Sequence, residues 1–378
     1  MIKAVVVADC HVDLTKGGWS AQHGMNRNWV ESFGRLSDAV DVFIDNDADI
    51  FCIAGDLFNS GNPVAHAVHL VLEQMDRVFE AGGDVVAIEG NHCHHLVQAG
   101  HASPMDAYLG HNGAIVASTS SMVDVRGITF GLLPWHRVDG RESVDDVSDR
   151  VNNELEQMAD NWVGNGIVLA HALVDTMPFG RSEKTISPSS REPVVSVDIL
   201  DNGPWEHVFL GHVHTRQDVG TKAHYVGSTY KITAQDTDDK GCDLVTFDDD
   251  GHMMGYEFIP FKGRSVVTHD LSDDDEEDVV RAIEDCEIGA GDLVTFKIDS
   301  SVISLDSVAR SLSDKKIQGE HHDAIVRSVG VASESMVSGA TTINTDNASI
   351  DDLLREYLKV QGADDIDSLM DVFDEVSS

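Results

Sequence analysis

Short apolar runs punctuate the chain at residues 5–8, 50–54, 85–89, 167–170 and 207–210. Continuous runs of this kind suit strands buried on both faces. Between them, apolar positions recur at helical spacing. Over residues 29–45 they are Val30, Phe33, Leu36, Val40 and Phe43. Over residues 63–81 they are Val64, Val68, Val71, Leu72, Met75 and Phe79, with Pro63 near the start and Gly82-Gly83 after the end. Residues 144–162 carry a weaker helical pattern. The alternation predicts an α/β architecture with crossovers.

The pattern changes after Cys242. Residues 243–247 and 253–259 read as short alternating strands, and residues 260–264 as a linker. A compact β-α-β-α-β unit is expected over residues 265–271, 273–285, 292–298, 305–312 and 324–331. The acidic run at 273–277 sits at the start of its first helix. Carboxylates there complement the helix dipole, a simpler reading than a metal site. Residues 333–348 are rich in Ser, Thr and Asn and read as a loop or linker. Two amphipathic helices follow, one with Ile350, Leu353, Leu354, Tyr357 and Leu358, the other with Leu369, Met370, Val372 and Phe373. This hairpin either packs back on its own domain or docks on a partner. The expected domains are 1–262, 263–332 and 333–378.

A chain of 378 residues with 42% hydrophobic content is long enough for a large core. No run approaches the length of a membrane span of about 20 residues, so no membrane association is expected. The N-terminal run is too short for a signal peptide and reads as the first strand. The cysteines Cys10, Cys52, Cys93, Cys242 and Cys286 show no CxxC spacing. That favours a reducing, cytoplasmic setting over a disulfide framework or thiolate zinc site. The net charge of −40, from 66 acidic and 26 basic residues, argues against nucleic acid as a partner. Two conditions reconcile it with DNA: metal ions that bind phosphate directly, or a high-salt setting in which an acidic surface keeps the protein soluble.

Each of these five apolar runs stops at a cluster of polar residues: Asp9-Cys10-His11, Gly55-Asp56-Leu57-Phe58-Asn59, Gly90-Asn91-His92, His171, and Gly211-His212-Val213-His214. In Asp9-x-His11 and His212-x-His214 the residues lie two apart, so extended backbone points both to one side. Gly55 and Gly90 are expected to let the chain turn sharply. Each cluster alone is weak, and a lone His such as His171 is more often structural. Together, at successive strand ends, they supply oxygen and nitrogen ligands for two metal ions. Such mixed ligands suit Mn²⁺, Fe²⁺ or Zn²⁺ more than Ca²⁺. A pair of such ions clamps a phosphate ester and makes water acidic enough to attack it near neutral pH.

The series resembles the calcineurin-like metallophosphoesterase superfamily. Gly55-Asp56-Leu57-Phe58, Gly227-Ser228 and the run at 258–261 resemble more closely its SbcD/MRE-eleven branch of DNA-repair nucleases. The resemblance implies a four-layer α-β-β-α sandwich, a small α/β DNA-capping domain and a C-terminal helical hairpin. It implies one metal held by Asp9, His11 and His214, another by Asn91, His171 and His212, with Asp56 bridging them. It makes His92 a general acid facing the scissile phosphate. Mn²⁺ would be the metal, DNA the substrate, and an SbcC-type coiled-coil ABC ATPase the partner of residues 349–378. A homodimer is expected on the same ground, with a role in double-strand-break repair or recombination.

Two positions depart from that branch. Cys93 stands where Asp usually follows Asn-His and orients the His, so His92 is expected to be held differently. Asn59 stands where a further His is common, which leaves the balance of exonuclease and endonuclease activity open. Other histidines tempt less. His94 and His95 read as surface or supporting residues, His66 and His69 as a solvated helix face. His101, His111, His224, His321 and His322 lack ligand spacing. Cys10 and Cys93 sit among harder ligands and are not expected to bind metal. Trp135-His136-Arg137 either contacts DNA or shapes its loop. The competing readings are a phosphoesterase for small-molecule or protein phosphates, and a metal-free scaffold.

Overall fold

The computed structural model describes residues 1–14, 26–93, 105, 109–110, 113–138, 142–176, 192–233, 236–271, 274–286, 292–298 and 325–330. The helix expected over 305–312, the linker 333–348 and the hairpin 349–378 lie outside the described residues, as do His94, His95, His101, His111, His321 and His322.

Two six-stranded sheets form the centre. The first contains β1 (Ile2–Val7), β2 (Ile50–Ala54), β3 (Asp84–Ile88), β4 (Ile115–Ala117), β13 (Gly241–Phe247) and β14 (Met253–Pro260), in the order β14-β13-β1-β2-β3-β4. The second contains β5 (Ser121–Val125), β6 (Ile128–Leu133), β7 (Gly166–His171), β10 (His207–Gly211), β11 (Gln217–Val219) and β12 (Ala223–Tyr225), in the order β11-β12-β10-β7-β6-β5. A short pair, β8 (Leu173–Val174) and β9 (Val194–Val195), lies beside it. Strands β1, β2 and β3 run parallel, as do β6, β7 and β10.

The apolar runs are continuous because each strand is covered on both sides. Val6, Cys52 and Ile88 of the first sheet join Phe130, Leu169 and Phe209 of the second in a buried core. The alternate residues Val5, Val7, Phe51 and Ile53 turn outward onto α1 (Arg27–Asp45) and α2 (Ala65–Glu80). On the far side, Val168, Ala170, Val208 and Leu210 pack on α3 (Val144–Asp160) and α4 (Val197–Asn202). The architecture is therefore an α-β-β-α sandwich. Each large aliphatic side chain buried in these layers contributes about 1.5–3 kcal/mol.

The helices start where their capping residues place them. The Asn26 side chain accepts the Asn28 N–H at the head of α1, and Ser143 and Asp146 form a capping box on α3. Helix α2 begins at Ala65, not Pro63, and Val64 is exposed rather than part of the apolar stripe.

A parallel three-stranded sheet follows, with β15 (Val266–Leu271), β16 (Leu293–Ile298) and β17 (Ile325–Gly330) in that order. Helix α5 (Glu276–Asp285) connects the first two strands and buries Val279 and Ile283. Asp275 is its cap and Glu276 and Glu277 lie in its first turn: the Asp275 side chain accepts the Asp278 N–H. Among the described residues, no helix is long and apolar enough to cross a membrane.

Candidate metal centre

The predicted site residues meet at the carboxyl ends of β1, β2, β3, β7 and β10. Sheets of this type place their sites there. Asp9 and His11 follow β1, Asp56 follows β2, and Asn91 and His92 follow β3. His171 ends β7, and His212 follows β10. Asp9, His11, Asp56 and His171 are buried, each at most 2% exposed.

Two ligand clusters emerge. Asp9, His11 and His214 form one, with the Nε2 atoms of His11 and His214 3.1 Å apart. In the other, Asn91 Oδ1 lies 3.0 Å from His171 Nε2 and 3.1 Å from His212 Nδ1. Asp56 stands between them. Its Oδ2 is 3.9 Å from His11 Nε2 and 3.4 Å from His171 Nε2. Its Oδ1 faces away and accepts the His92 N–H at 2.9 Å. One carboxylate thus ties the third motif to the second and keeps its other oxygen for both clusters.

The donor chemistry fits divalent cations. Burial, with the neighbouring rings His92 and His171, holds His11 down to about 4 against the pull of Asp56. Burial and His11 hold His214 well below the usual histidine range. Both rings are therefore neutral, the form that binds metal. Their ring nitrogens converge with carboxylate and amide oxygens, an arrangement that a divalent cation would hold together. Burial opposes ionisation of Asp56, yet His171 and His11 hold its carboxyl below the ordinary range. Burial likewise opposes protonation of His171, but Asp56 raises it. A cation at His171 Nε2 would take the place of that proton.

Hydrogen bonds fix the ring orientations. His171 Nδ1 lies 2.9 Å from the Ala54 carbonyl, which turns Nε2 to the cluster. His212 Nε2 lies 3.2 Å from Glu192 Oε2, which turns Nδ1 inward. The His212 N–H donates to both Asp9 oxygens at 3.0 Å. The Trp135 ring lies against His212, with centroids 4.8 Å apart. His136 Nε2 lies 2.7 Å from Glu154 Oε2.

The backbone corrects two sequence expectations. Asp9 and His11 do not project from extended backbone: their φ values are 50° and 42°. Of the six non-glycine residues with positive φ among the described residues, four belong to the site: Asp9, His11, Asp56 and, at 97°, His212. Such strain gathers where geometry matters for function. Gly55 does turn with positive φ, but Gly90 does not; it is needed for space. A Cβ on Gly90 would lie 2.1 Å from Asp56 Oδ1, and one on Gly211 would lie 2.0 Å from the Ala54 carbonyl oxygen.

His92 is exposed and its ring meets His11 edge-on, with centroids 4.9 Å apart. The backbone carbonyl of Asn59 lies 3.0 Å from His92 Nδ1 and holds the ring. The Asn59 N–H in turn donates to Asp13. Neither Cys10 nor Cys93 joins a ligand cluster among the described residues. Burial pushes the Cys10 thiol up to about 12 and Cys93 well above its usual value. His66 and His69 are exposed on α2, and His224 is buried against Asp243 at 2.7 Å.

The model of one family, calcineurin-like phosphoesterase, matches residues 2–216. No curated protein matches the sequence. Among solved structures, a dimetal phosphatase from Danio rerio is similar at 12% identity, over 68% of this chain and 97% of that one, with a TM-score of 0.39. Purple acid phosphatase PPD1 from yellow lupin (Lupinus luteus) seeds is similar at 15% identity, over 69% of this chain and 46% of that one, with a TM-score of 0.35. The family match spans more than half of the chain and takes in every residue of both ligand clusters. The chain belongs to the calcineurin-like phosphoesterase family.

Proposed function

We propose that this metal-dependent phosphoester hydrolase is a DNA nuclease of the SbcD/MRE-eleven type. Asp9, His11 and His214 would hold one ion and Asn91, His171 and His212 the other, with Asp56 placed to serve both and Mn²⁺ as the metal. Cations held there supply a Lewis acid for the phosphoryl oxygens and an acidified water. His92 donates a proton to the departing ester oxygen. The Asn59 carbonyl fixes its Nδ1–H, so Nε2 is the atom that carries the transferred proton.

The observation that carries the reading is the exposure of His92 beside buried ligands. A general acid at the solvent edge meets its leaving group on an open surface, as a polymeric substrate requires. The small sheet β15-β16-β17 supports it too, because hydrolysis of a small ester needs no second unit. In this reading residues 263–332 cap DNA, and residues 349–378 dock on an SbcC-type ATPase within a cytoplasmic homodimeric assembly. The net charge of −40 favours the alternative, a phosphatase for small-molecule or protein esters.

Mn²⁺-loaded protein, with and without the ATPase, should be given end-labelled duplex and hairpin DNA at low and molar KCl, and p-nitrophenyl phosphate in parallel. DNA cleavage supports the nuclease. Turnover of the monoester alone in every condition would establish the phosphatase. Removal of residues 349–378 should leave phosphodiester hydrolysis in place and abolish ATPase binding.

A further inference from the structure

A cleft of about 400 Å³ lies where the linker after β14 leaves the sandwich. Its lining gathers Arg35, Lys231, Lys240, Lys262 and Arg264 against a single carboxylate, Asp239. The whole chain has the opposite balance, with 26 basic residues to 66 acidic ones. Some of this charge is used internally. Arg35 pairs with Asp38 at 3.3 Å, and Lys240 with Asp238 at 3.0 Å. The backbone N–H of Arg264 donates to Glu31, and its guanidinium donates to the Lys231 and Ile232 carbonyls and to Asn28 Oδ1. Among the described residues, Lys231 and Lys262 form no ion pair. Lys262 is exposed and Lys231 half-buried.

The cleft adjoins the metal centre. Lys240 Nζ donates to the His214 carbonyl at 2.6 Å. The hydroxyl of Tyr230, also in the lining, donates to the His11 carbonyl at 3.4 Å. Both carbonyls belong to the same ligand cluster. Tyr230 and Lys240 are themselves buried, so they form the wall between the cleft and the backbone of that cluster.

We infer that this basic cleft is a second anion site, which takes a phosphate of the substrate strand other than the one under attack. Lys231 and Lys262 are the contacting cations, and Arg264 shapes the wall. The class of ligand, a nucleic-acid strand, rests on the nuclease reading above; the anion site itself rests on the charges. A local concentration of cations matters more in an acidic protein, since the rest of the surface repels phosphate.

The test uses the full chain with Lys231→Gln and Lys262→Gln combined. Both side chains reach solvent, so folding should persist. The control combines Arg77→Gln and Arg281→Gln, which makes the same change in net charge elsewhere. Binding of fluorescein-labelled oligo(dT) to EDTA-treated protein is followed by anisotropy over a range of KCl. The cleft variant should bind about tenfold more weakly than the control, and the slope of log affinity against log salt should flatten by about 1.4 for two lost contacts. In Mn²⁺-loaded protein, kcat/KM for oligo(dT) relative to bis(p-nitrophenyl) phosphate should fall about tenfold by the same loss of contacts. Equal binding by variant and control overturns the anion site, even where DNA is cleaved, and the nuclease reading then stands alone. Absence of any binding by the wild type overturns it as well. Weakened binding by the variant in a protein that cleaves no DNA would keep the anion site and remove the nuclease.

Discussion

Gly90 and Asp56 pack so closely that a Cβ on the glycine would lie 2.1 Å from Oδ1 and 2.5 Å from the backbone nitrogen of the aspartate. Gly90→Ala must therefore push the carboxylate that stands between the two ligand clusters. Metal affinity should fall about 10- to 100-fold, the range seen when a supporting contact to a ligand is lost. Titration of the metal-free protein with Mn²⁺ measures it. Wild-type affinity in the alanine variant would mean that Asp56 is not shared as described.

Glu192 orients His212 across 3.2 Å. Glu192→Ala should weaken metal binding or activity about 10- to 100-fold. Glu192→Gln, whose amide oxygen can still accept from Nε2, should recover most of the loss. Equal loss in both variants would assign Glu192 a role through its charge rather than through ring orientation.

The strand ends were legible in the sequence, and the reason is physical. Strands covered on both faces give unbroken apolar runs, so the break at Asp9, Asp56, Asn91, His171 or His212 stands out. Short strands such as β4, β11 and β12 are three residues long and leave no such signature. Glu192 was missed because its partner, His212, is distant in sequence and a lone carboxylate carries no spacing. The group that holds His92 was also hidden, since it is a backbone carbonyl, that of Asn59. Nor do residue types reveal φ: the turns at Asp9, His11 and His212 are made by the ligands themselves, not by neighbouring glycines.

Away from the site, His207 Nε2 lies 2.8 Å from His224 Nδ1, and His224 Nε2 lies 2.7 Å from Asp243. Burial pushes His207 down to about 4 from an ordinary 6.5, helped by His224 and Arg216 and opposed by Asp243. The unfolded chain then takes up the proton first as pH falls. Stability from this group is complete above about pH 6.5 and is lost between there and pH 4, by at most about 3 kcal/mol. Denaturant unfolding of the metal-free protein should show that slope, and His207→Gln should flatten it. A slope identical in the two proteins would show that His207 is not the group responsible.

The charge of −40 should make the fold depend on salt. Self-repulsion among acidic groups is screened as ionic strength rises. The melting temperature should climb with KCl, most steeply at the low end. A flat curve would contradict a high-salt setting.

The most direct test of the division of labour between the metal ligands and His92 is the leaving-group dependence of His92→Gln. The variant should keep wild-type metal content. Its cleavage of a DNA phosphodiester, whose alkoxide leaves poorly, should fall about 10²- to 10⁴-fold. Its hydrolysis of bis(p-nitrophenyl) phosphate, whose leaving group needs little proton assistance, should fall far less. Equal losses on both substrates, or loss of metal from the variant, would contradict the assignment of His92 as the general acid.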